Sequence, residues 1–192
     1  MISPVLKGGI MNPGIIVLIV IVAIVLIILI WAISVYNAVR KANLKCDEAL
    51  SGIDVALAKR HDLLTKSLGA VNKYVDHEKT TLLESIKLRK NSPVSEKIES
   101  NAKMDELKNY IVALAENYPE LKANENFAVL QNNIEDTEEH LQAARRAYNA
   151  AVTRYNEYHI TFPNSLIANR IKPDKREFFE ATEEQKEDVE IK

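Results

Sequence analysis

The sequence predicts an all-α fold, in which an N-terminal apolar helix continues into an antiparallel up-and-down bundle of about four helices. Two observations lead to this fold class. One is a single unbroken apolar run near the start of the 192-residue chain, and the other is a series of long proline-free stretches with a helical apolar repeat. Charge separates the two parts: no charged residue lies between Lys7 and Arg40, whereas a third of residues 40–192 are charged.

The apolar run extends from Ile15 to Ile33. As a helix rising about 1.5 Å per residue, it nearly spans the ~30 Å hydrocarbon core of a bilayer. It has no polar face, which disfavours a buried core helix, and no well-placed cleavage site follows it, which disfavours a removed signal peptide. We therefore expect a short flank over residues 1–13 and a retained transmembrane helix over 14–35.

Charges beside this span predict its orientation. The N-terminal flank carries only Lys7, whereas Arg40, Lys41 and Lys45 follow the span closely. Because cytoplasmic flanks are enriched in Lys and Arg, the C-terminal domain is predicted to be cytoplasmic.

Pro93 and Pro119 separate three long proline-free stretches beyond the span. Each stretch carries one apolar stripe, in which apolar residues recur every three, four or seven positions. One-sided stripes must pack against one another, which predicts a bundle over residues 36–181. The first stripe comprises Leu50, Leu57, Leu64 and Val71 with His61, Leu68, Val75 and Leu82 beside them. The second comprises Met104, Leu107, Ile111, Leu114 and Tyr118, and the third Phe127, Leu130, Ile134, Thr137, Leu141, Ala144, Tyr148, Ala151, Tyr155, Tyr158 and Phe162.

Local signals set the predicted helix ends. Neither Gly nor Pro occurs between Ile15 and Ser51, so the membrane helix should continue to about Tyr74 as a stiff stalk. Ser92 before Pro93 is predicted to cap the second long helix, and Asn124 or Asn126 the third.

Beyond Pro163 the apolar residues are irregularly spaced, which predicts a short helix or turn and then a strand-free segment against the bundle. The acidic residues 182–192 have little to bury and are predicted to form a mobile tail.

Composition excludes several kinds of chemistry. The single Cys46 supports neither an intrachain disulfide nor a thiolate zinc site, and a net charge of -2 disfavours nucleic-acid binding. No His follows a Glu at the di-iron spacing, and no Gly-x-Ser-x-Gly occurs. In the polar part Gly occurs only at positions 52 and 69, both inside helical patterns, so a phosphate-binding loop is also excluded. No catalytic residue, metal site or cofactor is therefore predicted.

The candidate interaction residues lie in polar positions near the stripes. Arg60, His61 and Asp62 form a dense polar group on the first stripe, and Arg145 lies beside the third. One hypothesis is a pH-sensitive or partner-binding polar layer in the bundle. The alternative is a histidine at the edge of the core, hydrogen-bonded within the bundle or to water.

Several short segments of the polar part follow a recognisable family pattern in order. They include Lys59-Arg60-His61-Asp62-Leu63, Glu116-Asn117-Tyr118-Pro119, Leu121-Lys122-Ala123-Asn124-Glu125-Asn126-Phe127, Ala144-Arg145-Arg146, Phe162-Pro163, Leu166-Ile167-Ala168 and Arg176-Glu177-Phe178-Phe179-Glu180-Ala181. In these segments the sequence resembles the LemA family of bacterial membrane proteins, from about Tyr36 to Ala181. Where that family commonly has Ile-Pro-Asn-Leu, this sequence has Leu64-Thr65-Lys66-Ser67-Leu68, which predicts a straighter first helix.

The resemblance implies an N-terminal anchor and a bundle of about four antiparallel helices, and it implies no enzyme activity. Together with the retained anchor, it leads us to expect a non-catalytic protein-interaction or scaffold module at the bacterial cell membrane. Its partners would be other membrane or envelope proteins, or a second copy of the chain, because helical stripes pair equally well between chains. The alternative is a ligand-sensing or hydrolytic domain whose site is assembled from distant residues such as Arg60, His61 and Arg145.

Overall fold

A computed structural model describes residues 12–72, 80–86, 88–89, 92–171 and 174–180, and these residues contain helices but no strand. This confirms the predicted all-α class. Three of the six described helices are long, and they form the body of the domain. The helices are α1 (Pro13–Val71), α2 (Thr80–Ser85), α3 (Val94–Asn117), α4 (Pro119–Lys122), α5 (Glu125–Ile160) and α6 (Ser165–Ile171).

Helix α1 joins the apolar run to the bundle without a break. Asn12 caps it by accepting a hydrogen bond from the backbone N–H of Gly14 at 3.0 Å, and Pro13 occupies the first turn. Its 59 residues make it about 89 Å long. The predicted stalk is confirmed, although the helix ends at Val71, three residues before the predicted end, and Tyr74 lies outside the described residues.

Contacts between side chains give the directions of the long helices. Lys97 binds Asp54, and further along both helices Asn101 binds Arg60, so α3 runs parallel to α1. Glu138 also binds Arg60, whereas Arg154 lies opposite Lys41, so α5 runs antiparallel to α1. The long helices are therefore oriented up, up and down: α5 is antiparallel to α1, as the predicted bundle requires, whereas α3 is parallel to α1.

The core lies along the seam between α1 and α5, with α3 covering one end. Most of the three predicted stripes are buried or packed against this core. Val75 lies outside the described residues, and nothing is described of the side chain of Leu82. Fully or nearly fully buried apolar residues include Val39, Cys46, Ile53, Leu57, Leu64, Val71, Met104, Leu107, Ile111, Leu121, Ile134, Tyr148, Val152, Tyr155 and Ala168.

Two local predictions are wrong. Pro93, not Ser92, is the residue before α3, because the helix begins at Val94, and no side chain caps it, because the proline side chain has no atom that can accept a hydrogen bond. Phe162 is 81% exposed rather than part of the third stripe, because α5 ends at Ile160 before the stripe reaches it.

Two other local predictions are confirmed. The side chain of Asn124 accepts hydrogen bonds from the backbone N–H groups of Asn126 and Phe127, which caps α5. Helix α6 follows α5, and residues 174–180 then lie against the bundle without strand pairing. The predicted tail over 182–192 lies outside the described residues.

Candidate functional site

Arg60 is the centre of a polar cluster inside the bundle. Its side chain is almost completely buried, although both of its neighbours in sequence are more exposed. The guanidinium donates hydrogen bonds to Asn101 Oδ1 at 2.7 Å, to Asp105 Oδ1 at 2.5 Å and to Glu138 Oε1 at 2.8 Å. One side chain of α1 thereby links α3 and α5, as the planar donor fork of arginine allows.

Glu138 receives a second cation. The ammonium group of Lys108 lies 2.9 Å from the same Oε1 atom that binds Arg60. Burial by itself would raise the pKa of Glu138, but the hydrogen bond from Lys108 and the nearby positive charges of Arg60 and Lys108 outweigh it. The pKa of Glu138 is therefore held below its usual range, and the carboxylate is ionised at neutral pH.

Arg145 lies beside this cluster. The Cζ atom of its guanidinium is 4.7 Å from the centroid of the Phe179 ring, which covers one face of the group. Burial lowers the pKa of Arg145, and the positive charge of Arg60 acts in the same direction, while Asp105 and Glu138 oppose both. Arginine nevertheless remains charged at neutral pH. Nε of Arg145 is buried without a hydrogen-bond partner, as is Nε of Arg60.

The cluster borders an open cleft of about 330 Å³. The charged residues that line the cleft are Arg60, Arg145, Asp105 and Glu138, so its lining is formally neutral, and Lys108 adds a positive charge next to it through Glu138. Two guanidinium groups with a buried Nε that lacks a hydrogen-bond partner thus lie next to two carboxylates at this cleft. The residues lining it are Arg60, Asn101, Asp105, Glu138, Leu141, Gln142 and Arg145.

The four sequence candidates thus separate into two pairs. Arg60 and Arg145, 85 positions apart in the sequence, come together at the cleft. His61 is only half-buried, and Asp62 is exposed, where it pairs with Lys66 one turn later at 2.6 Å. The buried polar position is therefore Arg60 and not His61, because the core face of α1 contains residues 57, 60 and 64.

A second polar network attaches residues 174–180, hereafter the C-terminal strap, to α5. The Asn149 side chain donates to the carbonyl oxygen of Phe179 and accepts from its N–H. Asn156, two turns further along α5, does the same for Arg176 at 3.0 and 2.9 Å. Tyr148 adds a hydrogen bond from its hydroxyl to the carbonyl oxygen of Glu177. Side chains of α5 thus form the hydrogen bonds that a neighbouring strand would otherwise form with the backbone N–H and C=O groups of the strap.

Arg176 of the strap extends this attachment to α1. Its guanidinium donates to Asn43 Oδ1 at 2.8 Å and lies 2.7 Å from Asp47 Oδ1. The same group lies over the ring of Tyr155, 5.9 Å from its centroid. The strap therefore joins the C-terminal half of α5 to the middle of α1, beyond the end of the apolar run.

Cys46 lies under this network and is fully buried. Burial raises the pKa of its thiol, and the nearby charge of Arg176 only partly opposes that effect. A buried, protonated thiol is a poor nucleophile, so its place is that of a small apolar core residue. Among the described residues, no three His, Cys, Asp or Glu side chains form a group that could hold a metal ion.

Sequence reasoning missed most partners of these two networks. Some signal was present, because Lys97, Asn101 and Asp105 recur every four residues on α3, as inward-facing residues do. Asn149 and Asn156 likewise lie seven residues apart, next to the apolar stripe of α5. Polar residues at helical spacing are, however, equally typical of a solvated face, and the tertiary contacts alone distinguish the two.

The sequence model of the LemA family matches residues 49–192. Protein LemA of Metamycoplasma hominis is 26% identical over 162 residues, which cover 80% of this chain and 72% of that protein. The family match includes every residue of the Arg60 cluster and the strap contacts of α5 described above, and it leaves out the apolar run. This chain belongs to the LemA family.

Proposed function

We propose that the protein is a single-pass membrane protein whose bundle binds other membrane or envelope proteins from the cytoplasmic side, without catalysing a reaction. The observation that carries the proposal is the continuity of α1. Its most apolar 18-residue window has a mean hydropathy of 3.7 and no residue buried inside the protein, whereas the second half of the same helix lies in the core.

Such a helix suits a membrane span and not a core helix, because a core helix buries its apolar face in its own domain. Since no loop separates span from domain, the bundle cannot rotate freely relative to the membrane. A rigidly held domain presents one fixed surface, which lowers the entropic cost of binding a neighbouring membrane protein. LemA family membership supports the membrane association itself.

We propose that partner proteins bind the exposed face of α1, which carries large apolar side chains. Leu44 and Val55 lie eleven residues apart, on the same helix face, and are 65% and 68% exposed. Val55 and Leu88 also line an open, mainly apolar cleft of about 370 Å³ beside α3. Exposed apolar side chains bordering a cleft are typical anchor points for a partner side chain.

Site-specific photo-crosslinking in living cells tests this proposal. A photoreactive phenylalanine analogue at Val55 should give discrete adducts with one or a few membrane proteins, whereas the same analogue at the exposed polar position Glu139 should not. The same diffuse background at both positions, with no adduct to any protein, would contradict a docking function.

A second candidate function is favoured by the cleft beside Arg60 and Arg145. A volume of about 330 Å³, with two guanidinium groups at its wall whose buried Nε atoms lack a hydrogen-bond partner, favours a small anion as the ligand. Inorganic phosphate should then raise the thermal unfolding temperature of the full chain but not that of an Arg145→Gln variant. Equal shifts in both proteins would exclude anion binding by Arg145.

A further inference from the structure

Three large apolar side chains are exposed where α5 turns into α6. Ile160 is 64% exposed, Phe162 81% and Leu166 59%. The value for Phe162 is the highest among the large hydrophobic residues in the described part of the chain. Single exposed apolar residues need no explanation, but three within seven positions form a patch with a specific location. We call these three residues the apolar corner.

The contacts between α1 and α5 locate this corner along α1. Ala151, Arg154 and Tyr158 line one cleft together with Ala38 and Lys45. Because α5 is antiparallel to α1, the two residues from Tyr158 to Ile160 advance the chain about 3 Å further toward the apolar run. The corner therefore lies at the height of the first turn after that run.

The side chains of α1 begin to be buried against the bundle at the same height as the apolar corner. From Ile15 to Ile30 the side chains of α1 are exposed, whereas Trp31 is partly buried against the core and Val35 is almost fully buried. Helix α6 contacts both α1 and α5, and its Ala168 is fully buried. The folded domain thus reaches down to the last turn of the apolar run and leaves no gap between them.

We propose that the apolar corner lies in the membrane–water interface and contacts lipid, so that the bundle rests on the bilayer as well as being anchored through it. This inference rests on the membrane anchor in the proposed function. Aromatic and aliphatic side chains partition into the interfacial region, where an exposed Phe is removed from water without needing a protein partner.

Charges at the same end fit a lipid surface. Arg40 and Lys41 on α1 and Arg170 on α6 are all exposed. Basic groups next to a membrane span are attracted to the anionic headgroups of the cytoplasmic leaflet. The corner thus combines apolar side chains with nearby cations, as interfacial segments do. Because the corner lies within about one turn of the apolar run, we propose that lipid, and not a second protein, covers it.

Lipid contact can be measured by fluorescence quenching in vesicles. The full chain with Cys46→Ala is reconstituted into vesicles of phosphatidylethanolamine and phosphatidylglycerol, with an environment-sensitive NBD dye on Phe162→Cys. The control is Val129→Cys, which replaces an exposed apolar residue near the start of α5, 52% exposed. Val129 lies 31 residues before Ile160, about 46 Å along the helix. A third label, on Ile24→Cys, reports on the anchor itself.

We expect dye at Phe162→Cys to show blue-shifted emission and strong quenching by lipids carrying a nitroxide near the headgroup. Dye at Val129→Cys should show neither effect, and dye at Ile24→Cys should be quenched by a nitroxide deep in the acyl chain. Quenching at Ile24→Cys, with Phe162→Cys behaving like Val129→Cys, would overturn the inference and leave the anchor intact. A blue shift at Phe162→Cys without lipid quenching would indicate protein contact and would also overturn it. Absence of quenching at Ile24→Cys would contradict the anchor, and the inference with it.

Discussion

Asn149 binds the backbone of Phe179 from both sides: its side-chain amide donates to the carbonyl oxygen at 3.1 Å and accepts from the N–H at 2.8 Å. The Phe179 side chain is buried at the same point, and Arg145 covers its ring. The C-terminal strap is therefore held by one helix through both backbone and side chain. This contact also connects the strap to the cleft beside Arg60, because Arg145 lines that cleft.

Asn149→Ala should loosen the strap. The substitution leaves the N–H and the carbonyl oxygen of Phe179 without their partner, which costs about 1–3 kcal/mol in the free energy of unfolding. Hydrogen exchange of the full chain in detergent should show faster exchange over residues 174–180. Asn132→Ala is the matched control, because Asn132 is exposed on the same helix. Equal exchange of the strap in the two variants would refute the anchoring role of Asn149.

Arg60→Met should destabilise the bundle strongly. Removing the buried guanidinium takes one cation from both Asp105 and Glu138, although Lys108 still binds Glu138, and we expect a loss of about 3 kcal/mol. We use the low end of the usual range because both carboxylates are about a third exposed. Urea unfolding measures the effect. Lys66→Ala on the same helix removes only an exposed pair and should cost about 0.5 kcal/mol or less. A similar cost for both variants would show that the cluster contributes little.

Stability should fall in acid because of Glu138. Its pKa in the folded protein lies below the unfolded value of about 4.3, so the folded state holds the ionised form more strongly. The resulting stability is fully present above the unfolded pKa and is lost as pH falls through the folded pKa. Urea midpoints measured from pH 7 to below pH 4 should decline, and less steeply for Glu138→Gln. The same slope in both proteins would assign acid sensitivity to other groups.

Gly52→Ala should stabilise the protein. Gly52 lies in the interior of α1, and an added Cβ would meet no atom within 4 Å. Alanine is favoured over glycine inside a helix by ~0.5–1 kcal/mol. Gly69→Ala has equal space but lies two residues before the end of the helix, so its gain should be smaller. Thermal or urea unfolding of the two variants checks the order, and a loss of stability at Gly52 would contradict it.

The side of the membrane can be determined by cysteine labelling in intact cells. Cys46 itself is unsuitable because it is fully buried. In a Cys46→Ala chain, Val129→Cys places a thiol at an exposed position of the bundle. We expect a membrane-impermeant maleimide to label it only after cell lysis, as the positive charges following the span predict. Labelling of intact cells would reverse the orientation.

The sequence by itself determined the helical class, the unbroken helix from the apolar run into the bundle, and the cap at Asn124. These features depend on local rules: apolar periodicity, the positions of prolines and the hydrogen-bonding capacity of one side chain. The direction of α3 was not accessible in the same way. It follows from the tertiary contacts that place Lys97 beside Asp54 and Asn101 beside Arg60, which no repeat in the sequence encodes.

The tertiary structure alone decided which polar residues matter. It selected Arg60 over His61, because α1 packs against α3 and α5 with position 60 facing inward. It also brought Arg145 to Arg60 and placed Phe162 outside the core. Such outcomes depend on the rotation of each helix about its axis and on where α5 ends. A stripe of apolar residues determines the rotation of a helix and its last residue only to within about one position. An error of one position is enough to predict that a residue is buried when it is exposed, or the reverse.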